Sequence, residues 1–422
     1  MTASITRVRA SLLGVLLLAA SACAPPPSSS ALTITASALG REGTLVREQV
    51  ARFAARHPEI PVVVRSAPDE ADTRHQLYVH WLNAYATEPD VLQLDVVWTA
   101  EFAAAGWILP LDRYQPRTDA FFPAAIAANT WNGHVFALPW FVDVGMLYWR
   151  TDLAASAPAD FATLMAEASQ PGAVSGFVWQ GARYEGLVTV FLEHLGGFGG
   201  RILDDDGGVA VDSEAAVRAL EYMRDAIHRR GAVPGEVLSW QEEHARFAFQ
   251  NGRARFMRNW PYAVPLLADA TQSAVAGRFA VAPMPAAPGG ISTAALGGSQ
   301  LAINARSRRP DDAWALISFL LAPEQMLERA RVVCQYPSRH ALYDDEALQA
   351  ALPVPAAVAR GIIERAVPRP VTPVYSELSG ILQVHLHRAL TEQVEPRAAL
   401  SLAAAEMRAL LARAGLDEGG RR

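Results

Sequence analysis

The sequence predicts two α/β lobes, each a mostly parallel sheet flanked by helices. Three observations carry this. Short apolar runs rich in Val, Ile and Leu alternate with amphipathic stretches of helical length. The alternation occurs in two successive blocks, so crossover helices and two sheets are expected. The chain has 422 residues, and the roughly 400 that follow its apolar leader suit two or three domains rather than one core.

The elements follow in order. LTITA at 32–36 opens the folded part as a strand. Residues 44–57 read as a helix, with Leu45, Val46, Val50, Phe53 and Ala54 on one face, and Pro58 stops it. IPVVVR at 60–65 is the next strand, and 76–86 the next amphipathic helix. DVLQLDVVW at 90–98 is nearly continuously apolar, as a strand covered on both faces would be. Strands at 135–139 and 144–149 surround a crossing point. The second block then runs helix 158–169, strand 174–179, helix 186–195, helix 213–230 ended by Gly231, and helix 242–251 ended by Gly252. Strands at 253–257 and 298–305 and a helix at 309–321 follow. Two helices, 375–393 and 396–414, close the chain. Proline-rich breaks at 283–288 and 368–373 are candidate crossings between lobes.

The N-terminal residues point to a compartment. Arg7 and Arg9 precede an apolar run at 11–20, then Ala20, Ser21, Ala22 and Cys23, then a Pro/Ser stretch. A basic start, a short apolar core and small residues at a cut site make a bacterial secretory signal. A cut before cysteine makes 1–22 a lipoprotein signal, Cys23 the lipidated residue, and 23–31 a tether. A plain signal peptide is the alternative. A spanning helix needs about 20 apolar residues, roughly twice this run.

Composition excludes several functions. The formal net charge is −6, and −8 once Arg7 and Arg9 leave with the signal, which offers no electrostatic case for nucleic acid. Apart from histidine, every basic side chain is arginine. With Cys23 lipidated, Cys334 has no partner in the chain, so neither a disulfide nor a cysteine metal cluster is expected. Cys334 reads as a small buried residue. The motifs G-x-S-x-G, H-E-x-x-H, C-x-x-C and the phosphate-binding loop are absent. The run Asp204-Asp205-Asp206-Gly207-Gly208 lacks the alternating ligands and closing Glu of a calcium loop and reads as a hairpin turn. No cofactor and no metal are expected.

What remains is polar and aromatic residues at strand ends. Asp95 lies in an apolar strand, where an acid is costly to bury without partners. Ligands of open α/β sheets bind beyond the carboxyl ends of strands, so Asp95 is a candidate acceptor; the alternative is a helix cap for 99–105. Asp143 stands similarly, beside Trp140 and Phe141. A carboxylate with flat apolar neighbours suits a sugar, whose hydroxyls need partners and whose face needs a ring; core packing is the alternative for each aromatic. Trp260 follows a strand at a break. Arg369 is held between Pro368 and Pro370, where φ is fixed. Its guanidinium can fork onto two hydroxyls or pair with Asp95 or Asp143, and a surface salt bridge between lobes is the alternative.

Together these segments resemble the extracytoplasmic sugar-binding proteins of ABC importers, most closely the trehalose/maltose-binding branch, over nearly the whole mature chain. The resemblance is carried by LDVVWTAEF at 94–102 with Gly106-Trp107, ALP at 137–139, and DVGMLY at 143–148. Further on it is carried by GFVWQG at 176–181, YEGL at 184–187, RNWPYA at 258–263, LGG at 296–298 and AVPRP at 366–370. It implies the two-lobe periplasmic-binding-protein fold with a ligand cleft between lobes, the N-terminal lobe being 32–142 with 300–345 and the C-terminal lobe 143–299 with 346–422. It implies an α-linked disaccharide of trehalose or maltose type, captured by hinge closure and delivered to a permease of two transmembrane subunits served by a cytoplasmic ATPase. The protein would be a monomer held to the membrane by its lipid, and no enzyme. By matched position the resemblance gives binding roles to Glu42, Arg74, Asp95, Asp143, Trp260, Gly298 and Arg369. Two positions depart: Phe141 stands where a hydroxylated ring is expected, and Ser299 where a Trp is. A glycoside hydrolase using two of Glu42, Asp95 and Asp143 is the enzymatic alternative, and would need those carboxyls about 5 to 9 Å apart. A binding protein for a glycerophosphodiester is the other; three acids argue against an anionic ligand.

Overall fold

The computed structural model describes residues 31–37, 41–172 and 174–416. The signal, Cys23 and nearly all of the tether lie outside the described residues.

Twelve strands are formed by the described residues: β1 (Leu32–Ser37), β2 (Val62–Ala67), β3 (Val91–Asp95), β4 (Thr130–Trp131), β5 (His134–Val135), β6 (Ala137–Val144), β7 (Met146–Arg150), β8 (Ser175–Val178), β9 (Ala254–Asn259), β10 (Phe279–Pro283), β11 (Leu296–Ile303) and β12 (Tyr336–Pro337). One sheet runs β12-β6-β11-β3-β1-β2, the other β10-β7-β9-β8, and β4 and β5 make a small hairpin. Helices cover the two large sheets, giving the expected two-lobe α/β fold.

Strand direction is more mixed than the expected mostly parallel sheets. β1, β2 and β3 are parallel, and so are β8 and β9, where helices carry the chain back. The strands added from elsewhere, β11, β6 and β12 in one sheet and β7 and β10 in the other, pair antiparallel. The cause is crossing: β6 runs out of the first sheet and, after Gly145 alone, continues as β7 in the second. β11 then returns against both β3 and β6.

β1 is buried along its whole length. Its threonines survive there because Asp90 accepts from the Thr33 backbone and hydroxyl at 2.8 and 2.9 Å, and Tyr78 donates to Thr35 at 2.9 Å. The helices begin where caps allow. Asp160 accepts from Thr163 N at 2.7 Å, Ser213 from Ala216 N at 3.4 Å, and Glu70 caps the helix Ala71–Asn83. That helix starts five residues before the expected 76, since its polar first turn carries no apolar periodicity. β3 ends at Asp95, and Trp98 belongs to the turn before the helix Thr99–Ala104.

Several elements were not expected, β10 and two helices among them. β10 is short and half-buried throughout; as an edge strand it tolerates Pro283. The helices Pro323–Val333 and Ala356–Glu364 carry their apolar residues among many charges or alanines. The aspartate run forms the expected hairpin turn: Asp204 N donates to Gly208 O at 2.8 Å, and Asp204 Oδ1 accepts from Asp206 and Gly208. Cys334 is buried and free.

Candidate functional site

A cleft between the two sheets encloses about 1250 Å³, part of it open to solvent. Its lining includes nine of the ten binding residues expected from the sequence: Glu42, Arg74, Asp95, Phe141, Asp143, Trp260, Gly298, Ser299 and Arg369. They come from β3, β6, the loop after β9, β11, the first turns of two helices and, for Arg369, the segment before the helix Tyr375–Leu390, so the chain must cross several times to assemble them.

Trp140 is the exception and corrects the expectation. It is 0% exposed and packs in the core of the first sheet. Phe141 packs in the same core, its ring centroid 6.0 Å from that of Trp140, but it also reaches the cleft lining with Asp143. Phe141 pairs with Ser299 and Pro139 with Gln300, which leaves Trp140 as a bulge. The Arg329 guanidinium lies 3.9 Å from the centroid of its ring, a cation–π contact in a desolvated place.

On the first-sheet wall, Glu42 accepts from Arg329 Nη2 at 2.9 Å and from Gln93 Nε2 at 3.4 Å. Gln93 also donates to the Ser299 hydroxyl at 2.9 Å, and its own oxygen accepts from Ser37 N at 2.7 Å. Burial pushes Arg329 down to about 10, against the pull of Glu42. Arg74 is nearly buried; Nη1 donates to the carbonyls of Pro68 and Asp69 at 2.7 and 3.0 Å, and its Nε has no partner.

Asp143 differs from every other acid in the lining. Its Oδ1 is buried without a hydrogen-bond partner. Burial, with Glu42 and Asp95 nearby, pushes its carboxyl up to about 8, against the opposing pull of Arg329 and Arg258. At neutral pH it is therefore mostly protonated, able both to donate and to accept.

Arg369 closes the side of the cleft. Nη1 donates to Glu185 Oε1 at 2.6 Å and Nη2 to Asp95 Oδ1 at 3.1 Å. Burial alone would lower its pKa; the two carboxylates outweigh this and raise it. Glu185 also accepts from Tyr375 at 2.7 Å and from Ser379. The proline-held segment is anchored one step earlier, where Val367 N donates to Ala294 O and Leu296 N to Val367 O, both at 2.9 Å. Of the alternatives open for Arg369, the structure shows a buried bridge to Asp95, shared with Glu185. Nearby, Asp72 accepts from Gln383 at 3.2 Å, and burial together with Glu185 and Glu70 pushes it up to about 6.

On the opposite wall Trp260 donates from Nε1 to Glu242 Oε1 at 3.4 Å, and Tyr184 donates to Glu242 Oε2 at 2.7 Å. The paired glycines make this geometry possible. A Cβ on Gly297 would stand 3.0 Å from the Trp260 ring, and one on Gly298, at φ +114°, 2.3 Å from Phe141 O.

The sequence reasoning passed over Gln93, Glu185, Glu242 and Arg329. Gln93 had a signal: it is two residues from Asp95 in an apolar strand, hence on the same face. Glu185, Glu242 and Arg329 sit on helices with ordinary polar patterns and gave none. Among the described residues no group of His, Cys, Asp and Glu is arranged to hold a metal ion.

The bacterial extracellular solute-binding protein family matches residues 37–327. A Deinococcus radiodurans protein described as a probable ABC transporter-binding protein is 36% identical over 353 residues, covering 79% of this chain and 82% of that protein. Among solved structures, maltose-bound MalE3 of T. maritima superposes with a TM-score of 0.86 at 40% identity, covering 90% of this chain and 99% of that one. The GacH receptor of Streptomyces glaucescens gives 0.81 at 22% identity over 90% and 98% of the two chains, a likeness of fold alone.

Proposed function

The chain belongs to the bacterial extracellular solute-binding protein family, and on that premise we propose that it is the lipid-anchored capture component of an ABC sugar importer. The ligand we infer is an α-linked disaccharide of trehalose or maltose type. The single observation that carries this is the cleft's pairing of a flat indole, Trp260, with an unpartnered buried carboxyl, Asp143. A pyranose presents an apolar face to the ring and hydroxyls to the acid. A neutral polyol is the ligand a mostly protonated Asp143 accommodates best, since it brings no charge into the buried site. The 40% identity to a maltose-bound protein favours the same sugar class.

In this reading the lobes are 32–142 with 300–345 and 143–299 with 346–422. They close over the sugar about the crossings near Gly145 and the start of β11, as hinged binding proteins do. Cys23 carries the lipid, the protein acts as an extracytoplasmic monomer, and the closed form docks on two permease subunits. No bond of the sugar is broken.

Thermal denaturation with a panel of disaccharides tests the assignment. A ligand that binds only the folded chain raises its melting temperature, by about 2.7 kcal/mol of stability at a hundred times Kd. Trehalose or maltose should give the largest rise. A panel without any shift, with glycerophosphodiesters giving one, would refute the sugar assignment.

A further inference from the structure

The Trp260 indole has two faces, and the one behind the cleft is not backed by ordinary core. The Arg258 guanidinium carbon lies 4.0 Å from the centroid of the indole ring. Arg258 and Glu193 are each 0% exposed. Glu193 accepts from Arg258 Nε at 2.8 Å and Nη2 at 2.5 Å, a forked pair. Arg258 Nη1 donates to Gln180 Oε1 at 3.1 Å, and Gln180 Nε2 returns to Arg258 O at 3.1 Å. The guanidinium plane is thereby fixed at both ends. Room for the pair comes from Gly145, where a Cβ would stand 1.8 Å from Glu193 Oε1.

A buried ion pair is poor value for stability, because well-packed apolar residues of similar volume serve as well or better. Its presence directly under one cleft residue calls for another reason. We propose that Glu193 and Arg258 are positioning residues: they hold the Trp260 indole rigidly toward the cleft and so set how strongly a pyranose ring stacks on it. This rests on the sugar-binding reading above. Gln180, Arg258 and Gly145, from three separate segments of the chain, meet at this ion pair.

The test is a cycle on the full-length protein, with maltose as probe by calorimetry. The pair is replaced together, Glu193→Leu with Arg258→Met, so that no buried charge is left alone. The replacement is made both with Trp260 present and in Trp260→Ala. Positioning predicts that maltose binds about fivefold or more weakly when Trp260 is present, and within about twofold of its own reference when it is absent. Equal losses in both backgrounds, or none in either, would overturn it. Near-ultraviolet circular dichroism, with the Trp260 band assigned by difference from Trp260→Phe, reads the same device without ligand. The band should weaken in the pair variant, and an unchanged band overturns the inference. Where the pair variant does not fold, Arg258→Lys keeps the charge and loses the fork; it should weaken both the band and maltose binding. If the wild type binds no disaccharide, the sugar reading fails, while the band still decides the positioning.

Discussion

Asp143 should make the ligand-free protein lose stability between about pH 6 and 8, and Asp143→Asn should flatten that fall. The carboxyl is pushed up to about 8, first by burial and then by Glu42 and Asp95. In the unfolded chain it titrates near about 3.9. Between those values the native state keeps a proton that the unfolded state has released. Stability from this group is therefore full below about pH 4 and is lost as pH rises toward 8. Asp72, pushed up to about 6, acts in the same direction but is spent by that pH. Above pH 6, Asp143 is the larger contributor of the two. A single group gives a slope of at most about 1.4 kcal/mol per pH unit, hence under about 3 kcal/mol across the window. Solvent reaching the carboxyl through the cleft mouth makes the real loss smaller. Urea unfolding at half-unit pH steps, on wild type and variant, measures it. Asparagine keeps a donor and an acceptor but has no proton to lose, so the two curves should diverge as pH rises, with the variant relatively more stable at pH 8. Parallel curves would show that Asp143 is ionised at neutral pH, and the reasoning from its missing partner would fail.

Four further outcomes are expected. Trp260→Ala should weaken disaccharide binding about tenfold or more, near 1.4 kcal/mol, without unfolding the protein; native affinity by calorimetry would refute the placement of the cleft. Arg369→Met leaves Asp95 and Glu185 without their shared cation, and breaking a buried pair costs about 3 to 5 kcal/mol, to be read as a lowered urea midpoint. Cys23→Ala should release or strand the precursor, and normal processing with full membrane retention on fractionation would refute lipidation. Ser299→Trp should shift the ratio of affinities among disaccharides, because it fills space beside Phe141 and Asp95, its strand partners; constant ratios would show that Ser299 does not touch the sugar.

The alternation of strand and helix was legible where a strand was rich in apolar and β-branched residues, like LTITA, or bounded by proline and glycine. Helices were missed where tertiary packing replaced periodicity. Pro323–Val333 did carry a start signal, proline in its first turn, although its apolar face is diluted by Glu324, Glu328, Arg329 and Arg331. Strand direction was not legible. Nothing in the residues of β11 or β8 marks direction, yet one returns antiparallel between strands laid down much earlier, and the other pairs in parallel with β9.

The site divides in the same way. Residues were recognisable when their chemistry conflicted with their surroundings: Asp95 and Asp143 in apolar strands, Arg369 between prolines. What the sequence hid was the pairing of those conflicts. Arg369 was legible as a fixed cation, but only the fold shows it shared between Asp95, at the end of the interior strand β3, and Glu185 of a helix from the other half. Trp140 shows the reverse: an aromatic one residue from the cleft looks identical to one lining it until the bulge in the strand is known. Among the acids of the lining, a binding residue stands out by what it lacks. By that measure Asp143, with no partner for Oδ1, is the residue whose proton a bound sugar must engage or displace. Calorimetry in buffers of different ionisation enthalpy distinguishes the two. A heat of binding at pH 6.5 that does not depend on the buffer means that the proton stays; a dependence that Asp143→Asn abolishes means that it leaves, whereas one that survives that change belongs to another group such as Asp72.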